Sequence, residues 1–286
     1  MAAVSMAAIN RFASLWATDH MVSLQLSGTA GRFIGVLALI PIITAVWIDV
    51  KIASVAVAIL AVGMAYEFSK MLAMPASIAI ALVPLIALQS LPVWVFEAGV
   101  AWHSGLAVVS CCIATLYRGA LAGLFALTLS ICLCFSALLL NQMGGNWLLL
   151  VLAAVVAACD IAAYFVGRSV GGAKLAPLIS PNKTVSGSVG GIVAAIAVMA
   201  GLPSIPALVS IAGLGPVTGL DVSLALFLGC GVAVLSQIGD LLESALKRRF
   251  NVKDSGSILP GHGGLLDRFD GYLFTVPVFY LFFFAI

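Results

Sequence analysis

Charge is what this sequence has least of. Only 8% of its 286 residues are Asp, Glu, Lys or Arg, against about 25% in an ordinary soluble domain. A water-facing surface cannot be covered from so few charged groups, which excludes a soluble globular protein. Histidine is also rare, with three in the chain. The six cysteines, Cys111, Cys112, Cys132, Cys134, Cys159 and Cys230, sit inside apolar runs without repeated C-x-x-C spacing. That excludes a cysteine-built zinc module and leaves packing as their expected role. The net charge is only +2, too weak a field to suggest a nucleic-acid partner. No basic segment precedes an apolar core near residue 1, so residues 1–31 read as a cytoplasmic or interfacial arm and not as a cleavable signal.

Apolar residues fill the space that charge leaves. They make up 63% of the chain, and the mean hydropathy is +1.22. Runs approaching the bilayer-spanning length of about 20 residues lie near 33–48, 52–66, 71–89, 98–117, 119–140, 147–166, 188–212, 222–240 and 271–286. The expected fold is therefore an all-α polytopic integral membrane protein of about nine transmembrane helices. With nine spans, twelve of the thirteen basic residues fall on one side and only Lys51 on the other. The positive-inside rule makes the basic side cytoplasmic. Trp47, Trp94, Trp102 and Trp147 fall at the opposite ends, as indole rings favour the membrane interface.

The scarce charge is not spread evenly. Residues 240–270 hold ten of the chain's 24 charged residues. On charge alone this equally fits a solvated cytoplasmic loop, but the spacing adds to it. Asp240, Glu243, Ser244 and Lys247 share one helix face at i, i+3, i+4 and i+7, and Asp267 and Asp270 follow at i and i+3 before the last span. Carboxylates from two helix ends make a hard oxygen site suited to Mg²⁺ holding phosphate groups. Lys247, Arg248, Lys253 and Arg268 are the matching cations. Between them, Gly261, Gly263 and Gly264 leave room for backbone amides to approach an anion. His262 is placed to contact a phosphate or a base, or to cap a neighbouring backbone group. A second polar stretch on the same face contains Asp160, Lys174 and a Ser180-Pro-Asn-Lys183-Thr184 turn. Asp160 lies within an apolar span, where an acid is either functional or the partner of a polar group on the next helix.

Read as one string, Ser244-Ala-Leu-Lys247-Arg248 through Lys253-Asp254, Pro260-Gly-His262-Gly263-Gly264 and Asp267-Arg268-Phe-Asp270 resembles the signature of the phosphatidate cytidylyltransferase, or CDP-diacylglycerol synthase, family. The stretch from Asp160 to Thr184 is similar to that family's other polar region. The resemblance covers residues 155–286, and Ser186 stands where the family usually has an acid. It implies an enzyme that makes CDP-diacylglycerol and pyrophosphate from CTP and phosphatidic acid. Its cofactor would be Mg²⁺, with or without a second cation. The metal would be held by Asp240 and Asp267, with Asp160 a further candidate. Lys247, Arg248, Lys253, Asp254, His262, Arg268 and Asp270 would be catalytic, and Ser244, Lys174, Lys183, Thr184, Gly263 and Gly264 would bind substrate. Residues 1–150 would be supporting transmembrane helices and 151–286 the catalytic membrane region, with its site on the cytoplasmic face. Partners would be CTP, phosphatidic acid and membrane lipids, with homo-oligomerisation open.

The main rival from another class is a transporter. Its coupling-ion site would sit at mid-membrane between internal repeats, whereas these polar residues gather at one face and no repeat is visible. Among enzymes, a lipid kinase or another CTP-dependent transferase is the nearest competitor.

Overall fold

Strings of Leu, Ala, Val and Ile without polar interruption leave the backbone one way to satisfy its hydrogen bonds in lipid, the helix. A computed structural model describes residues 43–44, 46–90, 99–142, 145–201, 222–259 and 263–284. Its helices are α1 (Val50–Met71), α2 (Ala76–Ala87, continued by a 3₁₀ turn at Leu88–Ser90), α3 (Gly99–Arg118), α4 (Ala120–Leu140) and α5 (Gly145–Val170). They are followed by α6 (Val185–Gly201), α7 (Val222–Arg249), a single turn α8 (Leu266–Phe269) and α9 (Tyr272–Phe284). Asp49 starts α1 by accepting from the Lys51 amide at 2.7 Å.

Among the described residues four helical segments are long and apolar enough to cross a bilayer: Val50–Met71, Ala120–Leu140, Asn146–Val170 and Val222–Arg249. Ala76–Ser90, Val185–Gly201 and Tyr272–Phe284 are shorter apolar helices. From residue 52 onward a helix occupies the described part of each expected span, while residues 202–212 of the span expected at 188–212, and most of the one expected at 33–48, lie outside the described residues. The outer surface is greasy in the way only lipid tolerates: Ile59 is 67% exposed, Phe227 69% and Leu116 86%. The protein is an all-α integral membrane protein with one small exception.

That exception corrects the sequence reading of Ser180–Thr184 as a turn. Lys174–Ala176 (β1) and Ser180–Thr184 (β2) form an antiparallel hairpin, with Lys174 opposite Thr184 and Ala176 opposite Ser180. Pro181 is admissible because a two-stranded sheet has a free edge on each strand, where the missing N–H is not needed. Thr184 then caps α6, its hydroxyl accepting from the Gly187 amide at 3.1 Å.

The two ends of the bundle carry the expected markers. Trp47 packs edge-on against Trp147, with centroids 4.7 Å apart. At the other end Arg118 donates to the Ala73 carbonyl at 2.6 Å. One hydrophobic cluster runs across residue 150, joining Leu60, Phe68, Leu82 and Phe125 to Leu246, Leu266 and Phe279.

Helices α5 and α6 pack most intimately, through small residues. A Cβ on Gly187 would lie 2.6 Å from the Ala163 carbonyl and 3.2 Å from Gly167 Cα, and one on Gly191 would lie 2.9 Å from the Cys159 carbonyl. Gly187 and Gly191 thus face Cys159, Ala163 and Gly167 at four-residue spacing, the arrangement that lets membrane helices meet backbone to backbone. Gly191→Leu is expected to force the pair apart and to cost about 3 kcal/mol or more. Thermal unfolding in detergent would read this as a lower Tm, and an unchanged Tm would contradict the close packing.

Candidate active site

Helix α7 does not stop where its apolar run ends. It continues through Asp240, Glu243, Ser244 and Lys247 to Arg249, so the predicted polar stripe is one helical face. Ser244 Oγ donates to Asp240 Oδ1 at 3.3 Å, and Lys247 Nζ donates to Glu243 Oε2 at 2.8 Å. Asp240 also pairs with the Lys183 ammonium, which ties the hairpin to α7. Arg248 Nε reaches the Ile179 carbonyl at 3.2 Å and braces the hairpin turn.

Lys247 is the hub of this end. Besides Glu243 it meets Asp267 Oδ1 at 2.6 Å, and only 12% of its side chain is exposed. Asp267 in turn accepts the Ser255 amide on both oxygens, at 3.2 and 3.0 Å, and the Gly264 amide on Oδ2 at 2.8 Å. Burial alone would raise the Asp267 pKa, but the Lys247 ammonium and these amides together hold it below the ordinary aspartate value. Gly263 is required beside it. It has φ +80°, and a Cβ there would lie 2.7 Å from Asp267 Oδ2. The glycine amide expected to meet an anionic ligand, that of Gly264, is therefore spent on the protein's own carboxylate.

The polar face opens on a cavity of about 810 Å³ between α5, the hairpin, α6, α7 and the 267–272 segment, within the range of small-molecule sites. Of the residues singled out in the sequence, Asp160, Lys174, Lys183, Thr184, Asp240, Asp267, Arg268 and Asp270 line it. Ser244, Lys247, Arg248, Lys253, Asp254, Gly263 and Gly264 do not line it. Lys253 and Asp254 are exposed, and His262 lies outside the described residues. The Thr184 hydroxyl faces the cavity while serving as a helix cap. Asp270 is held well above the ordinary aspartate pKa, first by burial and then by the charges of Asp240 and Glu243.

Tyr164, Arg168, Asn182, Ser188 and Gln237 also line the cavity. The first three lie in the polar stretch from Asp160 to Thr184 without having been given a role, and Ser188 and Gln237 were missed in the sequence. The Arg168 guanidinium donates to the Tyr164 hydroxyl at 2.8 Å, and the Gln237 amide donates to the Ser188 carbonyl at 3.2 Å while accepting from its hydroxyl. Arg168 and Gln237 were legible as polar residues at the edge of apolar spans. Ser188 carried no such signal. Glu67, buried in α1, was missed because the first 150 residues read as uniformly apolar.

Compared with known proteins, residues 31–286 match the model of the cytidylyltransferase family. The chain belongs to that family. It is similar to phosphatidate cytidylyltransferases from Brucella suis biovar 1 (48% identical over 154 residues, 52% of this chain and 53% of the relative) and Bacillus subtilis (51% over 126 residues, 44% and 43%). A Rickettsia bellii protein of the same description is 41% identical over 139 residues, 48% of this chain and 57% of its own. The chain thus spans about half the length of the curated relatives it matches. Membership of the family agrees with a cavity that sets cations from the hairpin and α5 against carboxylates from α5, α7 and the 267–270 turn.

Lys247→Met would leave Glu243 and Asp267 buried without their shared cation. The expected cost is about 3 kcal/mol or more, read as a drop in Tm. Asp270→Asn keeps the side-chain shape, removes no partner of Lys247, and should leave Tm near that of the unaltered protein. Equal Tm values for all three proteins would contradict the clasp.

Proposed function

We propose that the protein transfers CMP from CTP to phosphatidic acid at the cytoplasmic membrane surface, releasing pyrophosphate. The reading is carried by the cavity at the end of α7, where Asp160 and Asp240 meet Lys174, Lys183, Arg168 and Arg268 in a member of the cytidylyltransferase family. A phosphate oxygen of phosphatidate forms the new bond to the α-phosphorus of CTP, and the bond from that phosphorus to the β-phosphate oxygen breaks. The attacking oxygen is already anionic at neutral pH, so no strong general base is required. What remains is alignment of two polyanions and neutralisation of the departing pyrophosphate, which is electrostatic work. Lys174 and Lys183 on the hairpin and Arg168 on α5 line one wall and suit the nucleotide phosphates. Arg268, in the 267–272 segment, suits the phosphatidate headgroup.

Mg²⁺ fits this site on its donor chemistry. Among the described residues no three His, Cys, Asp or Glu side chains are grouped to hold a metal by themselves. Mg²⁺ typically takes one or two carboxylates and fills its remaining positions with substrate phosphates and water. Asp240 and Asp160 would hold it, and Asp267 would join by releasing one of its protein donors. When bound, the ion would neutralise charge developing on the phosphates.

The substrates also bear on location, because phosphatidate stays in the leaflet while CTP comes from water. We place nine spans in the chain and the site on the cytoplasmic side. In a background without the native cysteines, Lys253→Cys should be labelled by an impermeant thiol reagent only from the cytoplasmic side, and Lys51→Cys only from the other. Labelling of both from one side would overturn the topology.

The activity is tested with detergent-purified protein, cytidine-labelled CTP, phosphatidate and Mg²⁺. A cytidine-containing lipid is expected. Asp240→Asn, which removes charge and keeps shape, should lower turnover about 100-fold or more with expression unchanged. Absence of product with the unaltered protein, or full activity in the variant, would refute the assignment.

A further inference from the structure

Glu67 is a carboxylate in the apolar first half of the chain, one turn from the end of α1 and 1% exposed. Burying a carboxylate in such surroundings is costly, and an apolar side chain would fill the space more cheaply. The structure shows what the acid provides. Its Oε2 accepts the Leu266 amide at 3.0 Å and the Ser255 hydroxyl at 3.4 Å. Its other oxygen lies against Gly256, where a Cβ would fall 2.6 Å from Glu67 Cδ. Gly264 approaches as closely, since a Cβ there would lie 2.5 Å from Oε2. The Leu265 side chain seats on Gly63, one turn earlier on the same helix.

The residues that Glu67 holds are those that build the clasp. The Ser255 hydroxyl goes to Glu67 while the Ser255 amide goes to Asp267. Leu266, whose amide Glu67 accepts, directly precedes Asp267, and Gly264 both packs on Glu67 and donates to Asp267. Two carboxylates therefore grip one stretch of chain from opposite sides, one from α1 and one from the cavity wall.

We propose that Glu67 is a positioning residue for the reaction assigned above: it anchors Ser255 and Leu266 to α1 and thereby sets where Asp267 meets Lys247 and where Asp267 and Arg268 stand at the cavity. The inference rests on that functional reading. It predicts a specific division of labour, in which the first half of the chain, remote from substrate, fixes catalytic geometry without contributing a group to the cavity.

The test compares Glu67→Gln and Glu67→Ala in detergent-purified protein by steady-state kinetics and by amide hydrogen exchange of peptides covering 252–259 and 263–269. Glu67→Ala should lower kcat about 100-fold with the KM for phosphatidate little changed, and should speed exchange in both peptides. Glu67→Gln keeps an acceptor oxygen and the side-chain shape, so it should recover most of kcat and of the protection. The proposal is overturned if folded Glu67→Ala keeps kcat, if kcat falls without faster exchange, or if the glutamine variant loses as much as the alanine variant. Should Glu67→Ala fail to fold, Ser255→Ala decides. It removes one donor to Glu67 and leaves the Ser255 amide on Asp267, so a several-fold loss of kcat with faster exchange supports the tie, and unchanged values overturn it. If the unaltered protein makes no cytidine-containing lipid, the functional reading fails, whereas the exchange data still judge the tie.

Discussion

A single ammonium group, that of Lys247, stands between Glu243 on its own helix and Asp267 on the segment that returns to the membrane, and it is nearly closed off from water. A cation in such a place is stable only with both partners, and the partners only with it. The constraint reaches outward from there. It requires α7 to remain helical beyond its apolar run, so that Glu243 and Lys247 fall one turn apart. Glycine is needed at 263, because a side chain would collide with Asp267. The Ser255 and Gly264 amides must be turned inward, and that in turn draws in Glu67 from α1. What looks like a charged loop is a fixed wall.

The division between clasp and cavity follows from this wall. Lys247, Gly264 and much of Asp267 are occupied with one another, whereas Lys174, Lys183, Arg168 and Arg268 border the open space. Groups that hold a wall in place and groups that line the cavity have the same chemistry, and they differ in which of them border the open space. Asp267 belongs to both sets, since it lines the cavity while its lone pairs serve Lys247, Ser255 and Gly264. The α5–α6 contact, made close by the absence of side chains on Gly187 and Gly191, supports the wall where Lys183 of the hairpin pairs with Asp240.

Sequence made some of this legible and hid the rest for physical reasons. The stripe Asp240, Glu243, Ser244, Lys247 could be read because helical periodicity converts spacing directly into a shared face. The crowding of charge into residues 240–270 could be read because charge is so rare in this chain that its distribution stands out. The hairpin at 174–184 could not, because five residues containing Pro and Asn carry the signals of a turn, and pairing across the strands is a tertiary fact. Glu67 was hidden by its surroundings, since one acid in a run of apolar residues gives no sign of the loop, nearly 200 residues later, that it holds. The duty of Gly264 was misjudged for a related reason. A glycine-rich turn shows that a backbone amide can approach an anion, not whether that anion is a ligand or a neighbouring aspartate.

The central claim is that the cavity joins a cytidine nucleotide to a phospholipid with loss of pyrophosphate. The most direct measurement follows the phosphorus atoms, using CTP labelled at the α-phosphate in one reaction and at the γ-phosphate in another, each with phosphatidate and Mg²⁺. The account predicts α-label in the extracted lipid in equal amount to pyrophosphate formed, with γ-label confined to that pyrophosphate. Lipid carrying the γ-label, or α-label remaining wholly in water-soluble nucleotide, would contradict it.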